Sequence, residues 1–261
     1  MSLQLIEKKE LIRKLVSDEL PIIIYGAGAA GQALLKACDK ENITIECFCD
    51  DNIKKKSDII FDKEIIHTSD IKRLFPDANW LISSADIMDI KSHLIEHGYS
   101  KSRLFPGSVL LKGFDLSTFK DFISYNEEDA HFGFLEFAVQ STIKCHEGYL
   151  DQDKIFLRSV DIVVTEKCTM KCVDCSNLMQ FFEKPVTYEI EEMNEAIDLL
   201  CSFSDEIYEF RVIGGEPFVH KEVHILIENL LKVKLPFEPS IPAQEAALGA
   251  IDDKHHLKVT L

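Results

Sequence analysis

The chain has 261 residues, is 46% apolar and carries 45 acidic against 29 basic side chains for a formal charge of −16. That size suffices for one large or two ordinary cores, while the acidic excess disfavours broad binding to nucleic acid or anionic membranes, which depends on neutralising phosphates with Lys and Arg. No stretch approaches the ~18 uncharged apolar residues of a membrane span, the first residues lack the apolar core of a secretory signal, and eight cysteines at this length do not make a disulfide scaffold; a cytoplasmic, reducing setting is expected.

Leu3 to Ser17 places Leu5, Ile6, Leu11, Ile12, Leu15 and Val16 among charges, a helical stripe that should pack on the domain behind it. Next, Pro21-Ile-Ile-Ile-Tyr flows into Gly26-Ala-Gly28-Ala-Ala-Gly31 and then into a helix over 32–39. Strand, G-x-G-x-x-G and helix in that order form a dinucleotide-binding fingerprint, in which glycines let phosphate approach backbone N–H groups at the helix start. Ile43 to Cys49 reads as the second strand, and Asp50 and Asp51 at its end stand where an acidic group meets a ribose hydroxyl. Cys47 and Cys49 share one face of that strand and read as small core residues, because C-x-C inside a strand is poor metal geometry. Asn79 to Ser84 predicts a strand, Ile87 to His97 a helix, and Arg103-Leu-Phe a last strand.

Together these make a Rossmann-like α/β unit over roughly 18–108, within a first domain of residues 1–108. It resembles the compact Rossmann-like domains that precede sugar acyltransferases and some methyltransferases. That resemblance implies a nucleotide or nucleotide sugar held by Gly26, Gly28, Gly31, Asp50 and Asp51. A purely structural glycine turn and NAD-dependent redox are the competing readings, and the chain has no room for a second half-fold plus a catalytic domain.

Residues 109–156 are aromatic-rich, with Phe114, Phe119, Phe122, Phe132, Phe134 and Phe137, so they predict a packed connector, helical around Phe134 to Thr142. Cys145-His146 within it reads as an ordinary helix-end pair before it reads as a ligand pair.

The third region, 157–261, opens with Val160-Asp-Ile-Val-Val-Thr165, a buried strand, followed at once by Cys168-Thr-Met-Lys-Cys172-Val-Asp-Cys175. Three thiolates on one tight loop can hold three irons of a [4Fe–4S] cluster and leave the fourth open, whereas clusters used only for electron transfer usually carry four cysteines. The same cysteines with His146 or His220 compose a zinc set, although no second C-x2-C-like pair lies near; unligated thiols are the third reading. Ile190, Met193, Ile197 and Leu200 mark one face of a helix whose Glu189, Glu191, Glu192 and Glu195 form a solvated acidic side. Phe210-Arg-Val-Ile then runs into Gly214-Gly215-Glu216-Pro217, and Ile225, Leu226, Leu230 and Leu231 mark another helix.

C-x3-C-x2-C on a strand-to-helix loop, followed after one helix by G-G-E-P, resembles the radical S-adenosylmethionine (radical SAM) superfamily over 157–234. The resemblance implies that Cys168, Cys172 and Cys175 ligate a [4Fe–4S] cluster, and that SAM chelates the open iron while Gly214, Gly215, Glu216 and Pro217 line its methionine end. Reductive cleavage to a 5′-deoxyadenosyl radical would then abstract hydrogen from a sugar, nucleotide sugar or peptide, with an electron from a flavodoxin or ferredoxin. Asp174 departs from the pattern, since many members place an aromatic residue before the last cysteine, near the adenine.

A six-unit partial barrel needs ~190 residues, yet 157–261 offers far fewer; Pro236, Pro239 and Pro242 interrupt the place of a third strand, and Leu257-Lys-Val-Thr-Leu261 is a short strand at most. The expectation is therefore an incomplete (βα) barrel: a fragment, an inactive remnant beside a binding module, or a domain completed by a partner chain.

Overall fold

Ile22, Ile23, Ile24 and Tyr25 are all buried, which requires a strand covered on both faces. In the structure, a computed structural model that describes residues 6–119, 132–170, 172, 173, 175 and 177–232, the chain is α/β and divides into two compact units, Met1–Ile155 and Phe156–Leu261. Of the sequence expectations, those on Leu3, Leu5, Phe122, Asp174, Pro236, Pro239, Pro242 and 244–261 lie outside the described residues.

The first unit runs α1 (Lys8–Ser17), β1 (Ile22–Tyr25), α2 (Ala29–Lys40), β2 (Cys47–Asp50), β3 (Ile59–Ile60), β4 (Lys63–His67), α3 (Thr68–Leu74), β5 (Asn79–Ile82), α4 (Ile87–Glu96), β6 (Leu104–Pro106), α5 (Ser108–Leu111) and α6 (Phe132–Leu150). Its six strands lie in the order β3-β4-β2-β1-β5-β6, all neighbours parallel except the β3–β4 pair. The order reverses at β1, as in a doubly wound sheet, the point outside whose strand ends such sheets bind ligands. Alternation along each strand divides the core. Ile22, Ile24, Phe48, Leu81 and Phe105 pack under α1, α2, α5 and α6, while Ile23, Tyr25, Cys49, Trp80 and Leu104 pack under α3 and α4.

Three differences from the sequence reading have physical reasons. Helix α2 starts at Ala29, three residues early, because Gly28 is its N-cap. The β3–β4 hairpin and α3 carried no clear sequence signal, since Ile59 is 72% exposed and α3 has only seven residues. Finally, the aromatic connector is part of the first unit: Leu110, Leu111, Leu116, Leu135, Val139 and Ile143 join the same core as Leu34 and Ile24, and the helix expected over 134–142 extends over Phe132–Leu150.

Helix α6 is tied to the strand ends by buried polar contacts. The Thr142 hydroxyl donates to the Ser83 carbonyl at 3.1 Å. His146, fully buried, donates from Nε2 to the Ser84 carbonyl at 2.7 Å and accepts at Nδ1 from the Ser108 hydroxyl at 3.0 Å. Burial lowers this imidazole to about 4, partly opposed by the Ser84 carbonyl.

The second unit runs β7 (Phe156–Leu157), β8 (Val160–Thr165), α7 (Ile190–Phe203), β9 (Glu206–Ile207), β10 (Phe210–Gly214) and α8 (Val223–Lys232). β7 pairs with β9 and β8 with β10, both parallel. Phe156 opposes Glu206 and Phe210 opposes Val160 with the same offset, so the two short pairs are one ribbon interrupted at Arg158-Ser159. The offset changes only past Ile213, where Gly214 pairs with Thr165 and Val164 is left over: a β-bulge, which bends the strand end and re-aims the residues after it. Ile162 and Val164 pack with Ile190, Ile197, Val223, Leu226 and Leu230 of the two helices, while Asp161, Val163 and Arg211 on the alternate side are exposed. Arg211 Nε donates to Asp161 Oδ1 at 2.7 Å across that open side. No helix among the described residues is long and apolar enough to cross a membrane.

The packing can be tested through stability in two places. A Cβ on Gly31 would collide with the Gly26 carbonyl, whereas one on Gly28 meets nothing within 4 Å. Gly31→Ala should cost the first unit about 3 kcal/mol and Gly28→Ala almost nothing, read as urea midpoints by circular dichroism. For His146, the unfolded ring protonates near 6.5 and the folded one near 4, so its contribution is complete above pH 6.5 and is lost as pH falls toward 4. That loss reaches about 3 kcal/mol, and His146→Gln should flatten this part of the pH profile.

Candidate functional site

The cysteine segment begins at Cys168, three residues after Thr165 at the carboxyl end of β8. Cys168 and Cys175 are half-buried, Cys172 is exposed, and none of the three is in a disulfide. The Met170 N–H donates to Cys168 Sγ at 3.4 Å. The backbone N–H groups of Met179, then Asn177 and Leu178, hold the Cys175 thiol below its ordinary value, the direction that favours a ligating thiolate.

The G-G-E-P segment leaves β10 beside it, and the bulge sets the contact. Gly214 has φ +133, a backbone region open to glycine at little cost. A Cβ there would strike the Thr165 carbonyl, and one on Gly215 would strike the Lys167 carbonyl and crowd Cys168. Four hydrogen bonds join the segments: Gly215 N–H to Thr165 O at 2.7 Å, Glu216 N–H to Lys167 O at 3.0 Å, Asn177 Nδ2 to Gly214 O at 2.9 Å, and Thr169 Oγ1 to Glu216 Oε2 at 2.7 Å. Pro217 opens a short 3-10 turn, Pro217–Val219. Thr169 and Asn177 were not foreseen as site residues; their partners lie 47 and 37 positions away in sequence, so only the strand register reveals them. Val173, Phe181 and Phe218 stand exposed on these same loops (93%, 73% and 77%).

Among the described residues no group of three His, Cys, Asp or Glu side chains is placed to hold a metal ion. The three sulfurs share a loop without forming a preset cage, which is the usual state of thiolate sites whose ligands are ordered by what they bind. The donor set suits an iron–sulfur cluster with one open iron. Both histidines that would complete a zinc set are engaged elsewhere. His146 belongs to the first unit's core, and His220 accepts from the Glu222 N–H at Nδ1 (3.1 Å) and donates from Nε2 to the Tyr188 carbonyl at 2.9 Å. Glu189, Glu191, Glu192 and Glu195 are exposed, as a solvated face requires.

In the first unit, Gly26 turns the chain at φ +99 and Gly31 lets α2 press on that turn. Asp50 folds back onto the turn: its Oδ2 accepts the Ala27 N–H and the Lys55 ammonium, both at 2.9 Å, and its Oδ1 accepts the Asn52 N–H at 2.9 Å. These hydrogen bonds hold the carboxyl below its ordinary value against the opposing effect of burial, the largest single influence. Asp51 accepts the Tyr25 hydroxyl at 2.5 Å and the Thr68 hydroxyl at 2.6 Å; burial first, then this bond, raises the Tyr25 phenol. Gly26, Gly28, Gly31, Asp50 and Asp51 thus lie together at one end of β1 and β2, with open space only over Gly28. Cys47 and Cys49 are buried in the core, and burial pushes the Cys47 thiol up to about 12.

Residues 19–105, the sheet from β1 to β6, match a family described as C2185-like, N-terminal. No curated protein matches the chain.

Proposed function

We propose that the second unit is a radical SAM domain, in which Cys168, Cys172 and Cys175 hold a [4Fe–4S] cluster and Gly214, Gly215, Glu216 and Pro217 receive the methionine end of SAM. The observation that carries this reading is the set of four hydrogen bonds fastening the glycine turn to the cysteine segment. When bound, the cluster and SAM supply a 5′-deoxyadenosyl radical for hydrogen abstraction from a sugar, nucleotide sugar or peptide.

The chain's own residues have separable parts in this. The N–H groups of Met179, Asn177 and Leu178 favour the thiolate of Cys175. The absence of side chains at Gly214 and Gly215 lets the turn lie directly on the cysteine segment. Thr169 holds one oxygen of Glu216, leaving acceptor capacity for an ammonium group. The side of β8 and β10 with Val163 and the Arg211–Asp161 pair, exposed among the described residues, is where a substrate and further strands would lie, whether those strands come from this chain or a partner. A reducing, cytoplasmic setting with a flavodoxin- or ferredoxin-type donor suits unbridged thiols.

A second reading is that the first unit is a nucleotide or nucleotide-sugar binding module beside an inactive radical SAM remnant. The reversal of strand order at β1 and the open space over Gly28 favour a ligand there.

The deciding experiment is anaerobic reconstitution with iron and sulfide, then electron paramagnetic resonance of the reduced protein. The expected result is a [4Fe–4S]⁺ signal that changes when SAM is added and is lost in Cys168→Ala, Cys172→Ala or Cys175→Ala. A folded protein with no cluster, or with one indifferent to SAM, rejects the first reading. For the second, a nucleotide or nucleotide sugar should raise the melting temperature in wild type and not in Gly28→Val; no shift with any of them rejects it.

A further inference from the structure

Thr165 closes β8 and is fully buried, and its hydroxyl is engaged on three sides. Oγ1 accepts the Lys167 N–H at 3.1 Å, shares a hydrogen bond with the Thr187 hydroxyl at 3.0 Å and donates to the Val186 carbonyl at 3.3 Å. The first of these is the side-chain turn by which Ser and Thr redirect the backbone two residues on. It holds the N–H end of Lys167, while the carbonyl of the same residue accepts the Glu216 N–H at 3.0 Å. Lys167 is thus gripped between the Thr165 hydroxyl and the glycine turn, and Cys168 is the next residue. The far partners of the hydroxyl are anchored in turn. Glu166 accepts the Val186 N–H at Oε2 (2.8 Å) and the Tyr188 hydroxyl at Oε1 (3.1 Å), and His220, three residues past Pro217, donates to the Tyr188 carbonyl at 2.9 Å.

We infer that Thr165 is a positioning residue, whose hydroxyl sets the Lys167 peptide and through it both the Cys168 thiol as a cluster ligand and Glu216 as a group facing SAM. The inference deepens the radical SAM reading and rests on it for the cofactors, but not for the placement of Cys168. Valine at this position keeps the branched shape and removes the hydroxyl, so the Lys167 N–H loses its acceptor in a part-buried place. The peptide is then free to turn, and both groups that depend on it move. A displacement of about 1 Å in a binding group costs up to roughly a hundredfold.

Two readouts on the full-length chain test this. In the reduced, cofactor-free protein, alkylation of each cysteine by iodoacetamide is followed by mass spectrometry. In the reconstituted protein, the SAM concentration that half-changes the paramagnetic signal of the reduced cluster is measured. Thr165→Val should keep the iron content of wild type, raise that SAM concentration about tenfold and speed alkylation of half-buried Cys168 about threefold, with exposed Cys172 unchanged. Thr165→Ser restores the hydroxyl and should behave as wild type. Ile197→Val, which shortens a side chain in the core of the same unit, should lower the melting temperature and move neither readout. Should Thr165→Val fail to fold, Thr187→Val, which removes a hydroxyl bonded to Thr165, takes its place with changes in the same direction. The inference is overturned if the folded variant leaves Cys168 alkylation or, where a cluster forms, the SAM requirement as in wild type. It is equally overturned if Thr165→Ser does not restore both, or if Ile197→Val moves them as far. A wild type that forms no cluster would remove the radical SAM reading, while the alkylation rates would still decide whether Thr165 places Cys168, so the two failures are distinguishable.

Discussion

Backbone lying directly on backbone, with no side chain between, is the constraint on which the strand ends of both units depend. In the first unit a Cβ on Gly31 would enter the Gly26 carbonyl, and one on Gly107 would enter the Ile82 carbonyl and Leu34. In the second, Gly214 and Gly215 press on Thr165 and Lys167. Interiors are packed densely enough that one added methyl cannot be absorbed where the opposing atom is a carbonyl. Each close approach lies at the carboxyl end of a parallel strand, where an open α/β sheet presents its ligand-facing surface. The glycines are therefore fixed by packing before any ligand is considered, which is why a glycine motif alone is a weak sign of binding.

The two units resolve this ambiguity differently. At the first turn, the chain places its own carboxylate on the Ala27 N–H. Around the second turn, exposed apolar side chains and reachable thiols surround a hydrogen-bonded frame, the arrangement of a surface made to be covered. The bulge at Val164 matters here. Without that extra residue the ladder would continue in constant register, and Gly214 would not come to rest against Thr165.

Legibility in the sequence followed how local each determinant is. The run Ile22 to Tyr25 into Gly26-Ala-Gly28 declared strand, turn and helix at once, because its signals lie within a dozen residues. Asn79 to Ile82 and Ile87 to Glu96 were read nearly to their ends for the same reason. The Ile59–His67 hairpin was not, because its edge strand is two residues long and outward-facing, with little pattern to detect. The pairing of Cys168–Cys175 with Gly214–Pro217 could be expected only from resemblance. Its physical basis, Thr169 on Glu216 and Asn177 on Gly214, depends on a parallel register that no local pattern encodes. The inward turn of Asp50 was equally hidden: its position at the strand end pointed to a ribose hydroxyl, whereas one of its donors is the glycine turn itself.

The burial of Trp80 has an optical consequence. It is the chain's one tryptophan, has no exposure, and meets Tyr99 edge-on with ring centroids 4.9 Å apart. Its indole lies in the first unit's core, so blue-shifted emission reports the integrity of that sheet and is silent about the cysteine-bearing unit. A chain whose second unit had melted would still fluoresce as native, and any spectroscopic claim about the cysteine segment has to come from a chromophore other than the indole.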